Sequence, residues 1–333
     1  MEFVMPDRKA DYEINKLNPY PALSEGMRRV VDYQAENAKG AFDTNVTWEK
    51  LRENYVAERR FWNEGGPEAF KTTELTVAGP EGEVPVRIYY PDDKPAHHAV
   101  VFIHGGGFTV GNNDTHDRMM RCVMAASGCA VIGVDYRLAP EYKFPTAMYE
   151  SAAVVRYFHE QGTAHGILPD KMALCGDSGG AALSLSVNLL LRDTPGGNDF
   201  ICALLLYYGT FGLSDSASWR QHGSIMDGMR RSDLMQYADY YAGPEDKENP
   251  YYAPLANDLT FGVPAAYLCC GDLDPLLDDS VLLQKILENH GVHTRLDIMP
   301  GVLHAYMHYG RMMDEAVQCL NNSGAFLKEE LEK

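Results

Sequence analysis

Apolar residues recur along the chain in two alternating rhythms. Short, nearly continuous apolar runs rich in β-branched residues (AVVFIHG, CAVIGVDY, KMALCG, ICALLLYYG, AAYLCCGD) alternate with amphipathic stretches (HDRMMRCVMAASG, AMYESAAVVRYFHEQ, GAALSLSVNLLLRD, SVLLQKILENHG). Continuous apolar strands separated by amphipathic helices predict a mostly parallel sheet covered by helices on both faces. Ahead of them, KTTELTVAGPEGEVPVRIYYP alternates on either side of a Gly-Pro-Glu-Gly turn, the pattern of a hairpin. At the other end HTRLDIM reads as a last strand, and YMHYGRMMDEAVQCLNNSGAFLKEEL as one closing helix.

Two regions break the rhythm. Residues 1–70 show helical periodicity with interleaved charges, as in MRRVVDYQAENA and TWEKLRENYVAERRFW, where Thr47 and Lys50 make a poor capping box. Between Gly209 and Val263 the chain is polar, helical in pattern and without a strand, too long for a plain connection. The pattern predicts a catalytic domain over 71–333 with an insertion around 210–260. That insertion and the N-terminal segment would form a helical cap over the strand ends, where open α/β sheets place their ligand sites. No internal repeat or low-complexity linker is seen.

Composition narrows the function. The chain has 333 residues, 45% hydrophobic and 23% charged, with a formal net charge of −18. This is an ordinary globular composition, and the acidity argues against a nucleic-acid surface, which needs clustered Lys and Arg, and against an anionic membrane. No apolar run approaches the about 18 residues of a membrane span, and the N-terminus lacks the apolar segment of a signal peptide. The seven cysteines are odd in number, with no C-x-x-C spacing, and most lie in apolar runs as small buried hydrophobes. The expectation is a cytoplasmic protein.

The chemistry centres on CGDSGG, Cys175 to Gly180. GDSGG is the nucleophile signature of trypsin-like proteases, yet it also satisfies G-x-S-x-G, the strand-to-helix turn of a hydrolase nucleophile. Trypsin-like folds are all-β with a late serine in the order His, Asp, Ser. Here Ser178 is mid-chain, after an apolar strand and before a helix, so the turn reading stands, with Gly176, Gly179 and Gly180 relieving its crowding. A serine needs a base and an acid. DLDPLLDD offers Asp272, Asp274, Asp278 and Asp279, and PGVLHAY offers His304, with His308 as a competitor. His304 and His308 are spaced i, i+4, but with no acidic third ligand and no H-E-x-x-H pattern a metal site is not expected. FIHGGGFTVG supplies backbone amides for an oxyanion, and no P-loop pattern makes it a nucleotide site.

HGGGF, DYRLAPEYKFP, GDSGG, DPLLDD and PGVLHAY together resemble the hormone-sensitive-lipase family of α/β-hydrolases over most of residues 75–330. ERRFWN, GNNDTHDRMMR, ENPYYAPLANDLT, CCGDLDPLLDDS and HAYMHYGRMM resemble its bacterial acetyl esterases, and that likeness reaches into the N-terminal segment. The resemblance implies an α/β-hydrolase fold with a helical cap and a cofactor-free esterase of small-molecule, short-acyl esters, acetylated sugars among them. Ser178 would be the nucleophile, His304 the base, and Asp274, directly before Pro-Leu, the acid. Gly106, Gly107 and Gly179 would give the oxyanion amides, with His104, Gly105, Gly176 and Asp177 as motif support. Arg137 and Glu141 would form ion pairs supporting the site. The family usually has Ala where Gly179 stands. Two rivals remain: a ligand-binding receptor on the same fold, and a lipase for long acyl chains, against which the polar, tyrosine-rich cap (Tyr237, Tyr240, Tyr241) speaks. Sequence leaves the oligomeric state open.

Overall fold

The computed structural model describes residues 5–333; the first four residues of the expected N-terminal segment lie outside it. Among the described residues, eight strands form one sheet in the order β1-β2-β4-β3-β5-β6-β7-β8. They are β1 (Lys71–Gly79), β2 (Gly82–Tyr90), β3 (His97–Ile103), β4 (Ala130–Val134), β5 (Ile167–Asp177), β6 (Ile201–Tyr207), β7 (Ala265–Gly271) and β8 (Thr294–Met299). The predicted hairpin is present: β1 and β2 pair antiparallel with Gly79 opposite Gly82. β2 also runs antiparallel to β4, and the six strands in spatial order β4-β3-β5-β6-β7-β8 run parallel to one another.

The apolar runs fall on the central strands because both of their faces are covered. Val101 and Ile103 of β3 pack into a layer with α4 (Thr146–Gln161), α5 (Gly179–Arg192) and α8 (Leu277–Asn289). Val100 and Phe102, pointing the other way, join a layer with α3 (Asp117–Ser127) and α9 (Asp314–Glu332). The outer strand β1 is mostly exposed, which is why its sequence alternates rather than running apolar.

The N-terminal helices are α1 (Glu25–Asn37) and α2 (Trp48–Asn63), and both bury residues in the α3/α9 layer, Val30 and Trp62 among them. Thr47 does cap α2, its hydroxyl accepting the Lys50 amide at 3.4 Å. Between β6 and β7 lie α6 (Ala217–Gln221), α7 (Arg231–Tyr241) and two short 3-10 turns, with no strand among these residues. The N-terminal stretch is tied to this segment: the Leu17 amide donates to the Gln221 carbonyl at 2.9 Å, and the Thr44 hydroxyl donates to Asp233 at 2.7 Å.

One boundary differs from expectation. The closing helix begins at Asp314 rather than Tyr306; Tyr306–Tyr309 form a separate 3-10 turn. Its four residues are all buried, so the chain must stay close to the strand ends before it can leave as a surface helix. Helical periodicity continued across this turn in the sequence and concealed it.

Candidate active site

All the chemistry-bearing loops leave the C-terminal ends of parallel strands. β3 lies between β4 and β5, so successive connections leave it in opposite directions, and such a switch point opens a crevice beyond the strand ends. The glycine loop follows β3 and the serine turn follows β5, with Ile103 and Gly176 in register beside each other.

Ser178 sits at φ 53°, ψ −122°, a backbone conformation that side chains rarely adopt. The Ser178 amide still donates to the Tyr207 carbonyl at 2.8 Å, extending the strand ladder into the turn. The turn is possible only because α5 starts against bare backbone. A Cβ on Gly180 would strike the Ile103 carbonyl, and one on Gly176 would strike Gly180 itself. At Gly179 a Cβ would approach the Phe108 ring to 3.2 Å, close but on a side chain that can shift. The position where the family usually has Ala is therefore the least constrained of the three.

Ser178 Oγ lies 2.9 Å from Nε2 of His304, and Nδ1 of His304 lies 2.7 Å from Oδ2 of Asp274. A carboxylate only accepts, so Nδ1 carries the proton and Nε2 is left as the lone pair facing the hydroxyl. Asp274 is fully buried, and its Oδ1 accepts the Leu276 amide at 2.8 Å. The other acids are engaged elsewhere. Asp272 accepts the Gly301 amide at 2.7 Å, Asp278 the Ser218 amide at 2.8 Å, and Asp279 the Phe211 amide at 2.7 Å. Burial pushes the His304 pKa down, but the Asp274 charge and hydrogen bond outweigh it, and the net shift is upward from 6.5. An imidazole so placed can take the hydroxyl proton and be stabilised once charged.

Facing this group is the glycine loop. Gly106 and Gly107 take φ 112° and 56°, conformations suited to glycine. Among the described residues their amides meet no protein acceptor, whereas the Gly105 amide is used, donating to Asp177 Oδ1 at 2.8 Å. Gly179 opens α5, where a backbone amide has no intrahelical partner. The loop rests on His104, whose ring stacks on Tyr136 at 4.2 Å and whose Nδ1 donates to the Gly105 carbonyl at 2.8 Å. Burial pushes the His104 pKa to about 3, so the ring is neutral.

Arg137 and Glu141 both form ion pairs, with different partners. Arg137 pairs with buried Glu150 of α4. Glu141 pairs at 2.7 Å with Arg52 of α2, whose Nε also donates to the Thr109 carbonyl at 2.7 Å, so that α2 braces the glycine loop. Sequence reading named Tyr237 and Tyr241 as cap tyrosines but did not single out Tyr208 or Phe108. Tyr208 meets the His304 ring edge-on at 4.9 Å, and Phe108 stacks on Tyr241 at 3.8 Å. Tyr237 comes so close to the loop that a Cβ on Gly107 would lie 2.5 Å from its ring. Aromatic type was visible in the sequence, but nothing marked which rings turn inward. His308 does not compete for the serine. With His116 and Asp177 it forms the one group of potential metal ligands found among the described residues, their ligand atoms within 4.8 Å of one another. No helix of the described residues is long and apolar enough to cross a membrane.

Sheet order, serine turn and glycine loop define an α/β-hydrolase, residues 100–308 match the model of the alpha/beta hydrolase fold family, and the relatives that follow make the chain a carboxylic ester hydrolase. The chain belongs to the hormone-sensitive-lipase-like branch of that family. It is 40% identical over 314 residues to the acetyl esterase of Salmonella dublin, covering 94% of this chain and 96% of that one. Among solved structures it is similar to the hyperthermophilic esterase of the archaeon Pyrobaculum calidifontis, with a TM-score of 0.86 and 27% identity over 94% of this chain and all of that one. A thermostable carboxylesterase from a metagenomic library matches with a TM-score of 0.82 and 26% identity, covering 86% of this chain and 99% of that one.

Proposed function

We propose that this carboxylesterase cleaves short-chain, acetyl-type esters through an acyl-enzyme on Ser178. His304 takes the hydroxyl proton as Oγ attacks the ester carbonyl, and Asp274 orients and stabilises the imidazolium. The amides of Gly106, Gly107 and Gly179 receive the oxyanion, each donor contributing about 3 kcal/mol to the barrier reduction. Collapse breaks the carbon–oxygen bond to the alcohol, which leaves with the proton from His304. Water then attacks the acyl carbonyl and gives a proton to His304, the bond from the acyl carbon to Oγ breaks as His304 returns that proton to Oγ, and acetate and free Ser178 are released. The observation that carries this reading is the unbroken chain from Asp274 through His304 to Ser178, at 2.7 and 2.9 Å, opposite unengaged amides. The likeness to acetyl esterases supports the short acyl preference, as do the ring of Tyr237 against Gly107 and that of Phe108 against Gly179.

We also read α1, α2 and the segment around 210–260 as a cap on a catalytic domain of residues 71–333. An acetylated sugar or oligosaccharide is the substrate we favour, because the half-buried Tyr237 and Tyr240 of α7 keep ring surface on which a sugar can stack, whereas Tyr241 is buried against Phe108. The test is initial rate against p-nitrophenyl esters from acetyl to decanoyl, with Ser178→Ala alongside. A maximum at acetyl that disappears in the variant supports the proposal. A maximum at eight carbons or more makes the protein a long-chain carboxylesterase, and retained activity in Ser178→Ala removes the nucleophile assignment.

A further inference from the structure

Asp177 precedes the proposed nucleophile, and its carboxylate touches three other parts of the site. Oδ1 accepts the Gly105 amide at the root of the glycine loop, at 2.8 Å. Nε2 of His116, the residue before α3, stands 3.3 Å from that same oxygen. Nε2 of His308, four residues beyond His304, stands 3.4 Å from Oδ2. All three side chains are buried, His308 the least so at 5% exposed.

A buried carboxylate is costly unless donors surround it. Burial pushes the Asp177 pKa up, but His116 and His308 outweigh that and hold it well below the usual carboxylate range. Nε2 of His308 has no regular hydrogen bond to any protein group, and Asp177 is the acceptor nearest to it, whereas Nδ1 of His116 meets the Thr115 hydroxyl at 2.9 Å. His308 is kept neutral, because burial and then the Arg59 guanidinium push its pKa well below the usual imidazole value. A neutral imidazole has a single N–H, and on Nε2 it faces Asp177.

We propose that His308 is a positioning residue: facing Asp177 through Nε2, it fixes the loop bearing His304 in register with the turn bearing Ser178 and with the glycine loop. This rests on the reading of Ser178 and His304 as nucleophile and base. His308 touches neither substrate nor reacting atoms, and it acts by holding the distance between the Nε2 of His304 and Ser178 Oγ. A displacement of about 1 Å in such a pair costs on the order of 100-fold in rate, and the loss falls on the transition state rather than on ground-state binding.

The test compares His308→Leu with His308→Gln, whose amide nitrogen reaches the place of Nε2. Both are assayed for kcat and KM on p-nitrophenyl acetate, with the wild type and Ser178→Ala alongside. The expected result is kcat lowered about 10- to 100-fold in the Leu variant with KM within about 3-fold, and most of that loss recovered by Gln. Unchanged kcat in the Leu variant, or equal loss in both variants, overturns the proposal. If the Leu variant gives no cooperative melt, His308→Met, of similar length and without a donor, is judged by the same criteria. A divalent metal at one per chain in the purified wild type, measured by elemental analysis and lost in His308→Gln, would also overturn it, because the imidazole would then be a ligand and not a donor. Wild-type turnover that vanishes in Ser178→Ala keeps a failure of this positioning role distinct from a failure of the triad reading.

Discussion

The serine turn and the segment between β6 and β7 both help to enclose the site, but different forces hold them. The turn is fixed by backbone: α5 starts so close to the end of β3 that only glycine fits at 180, and Ser178 is driven to positive φ. The intervening segment is held by side chains from distant parts of the chain, Thr44 against Asp233 and Phe108 against Tyr241. Backbone packing leaves a short, strict motif in the sequence, whereas side-chain packing leaves only a tendency in composition. The turn should therefore respond to single substitutions with loss of chemistry or fold, and the segment with changes in substrate preference.

The largest effect should come from the acid that completes the turn's chemistry. Asp274→Asn should lower kcat about 10⁴-fold, the scale known for loss of the orienting acid in serine proteases, and Asp272→Asn far less, since Asp272 holds a loop through the Gly301 amide. Steady-state kinetics on p-nitrophenyl acetate decide between them. An equal or reversed pair of losses would move the acid.

Next in size is the backbone contact itself. Gly180→Ala puts a methyl group into the Ile103 carbonyl and should cost about 3 kcal/mol or more of stability, read as a lowered Tm in calorimetry. In contrast, Gly179→Ala should keep kcat within about 3-fold, because only the Phe108 ring has to yield.

The pH profile sharpens the same region. His304 must be neutral to accept a proton, and its pKa lies above 6.5, so kcat/KM should fall as pH drops through a value higher than that of a free imidazole. Asp274→Asn removes the main influence raising that pKa, and the acid limb of whatever activity remains should move to lower pH.

The smallest effect belongs to the intervening segment. Tyr237→Ala opens space beside Gly107 and should raise the rate on hexanoyl relative to acetyl ester several-fold, with little change in Tm. A large drop in Tm with no change in acyl preference would mean that Tyr237 is a support of the fold rather than a wall of the pocket.

The alternation of apolar runs and amphipathic helices determined the parallel sheet by itself, because strands buried on both faces must be apolar throughout. The spacing of HGGG, GDSGG and the late Asp and His put the candidate residues at strand ends, because close backbone approach tolerates few residue types. Residue type left Asp272, Asp274, Asp278 and Asp279 alike and only the resemblance pointed to Asp274; the loop after β7 and the start of α8 aim them differently, and Asp274 is the one that reaches His304. Tertiary structure alone decided that His308 turns from the serine to Asp177, and that α2 braces the glycine loop through Arg52. Those contacts join residues far apart in the chain through one or two hydrogen bonds each, and such pairings leave no periodicity or local spacing in a single sequence.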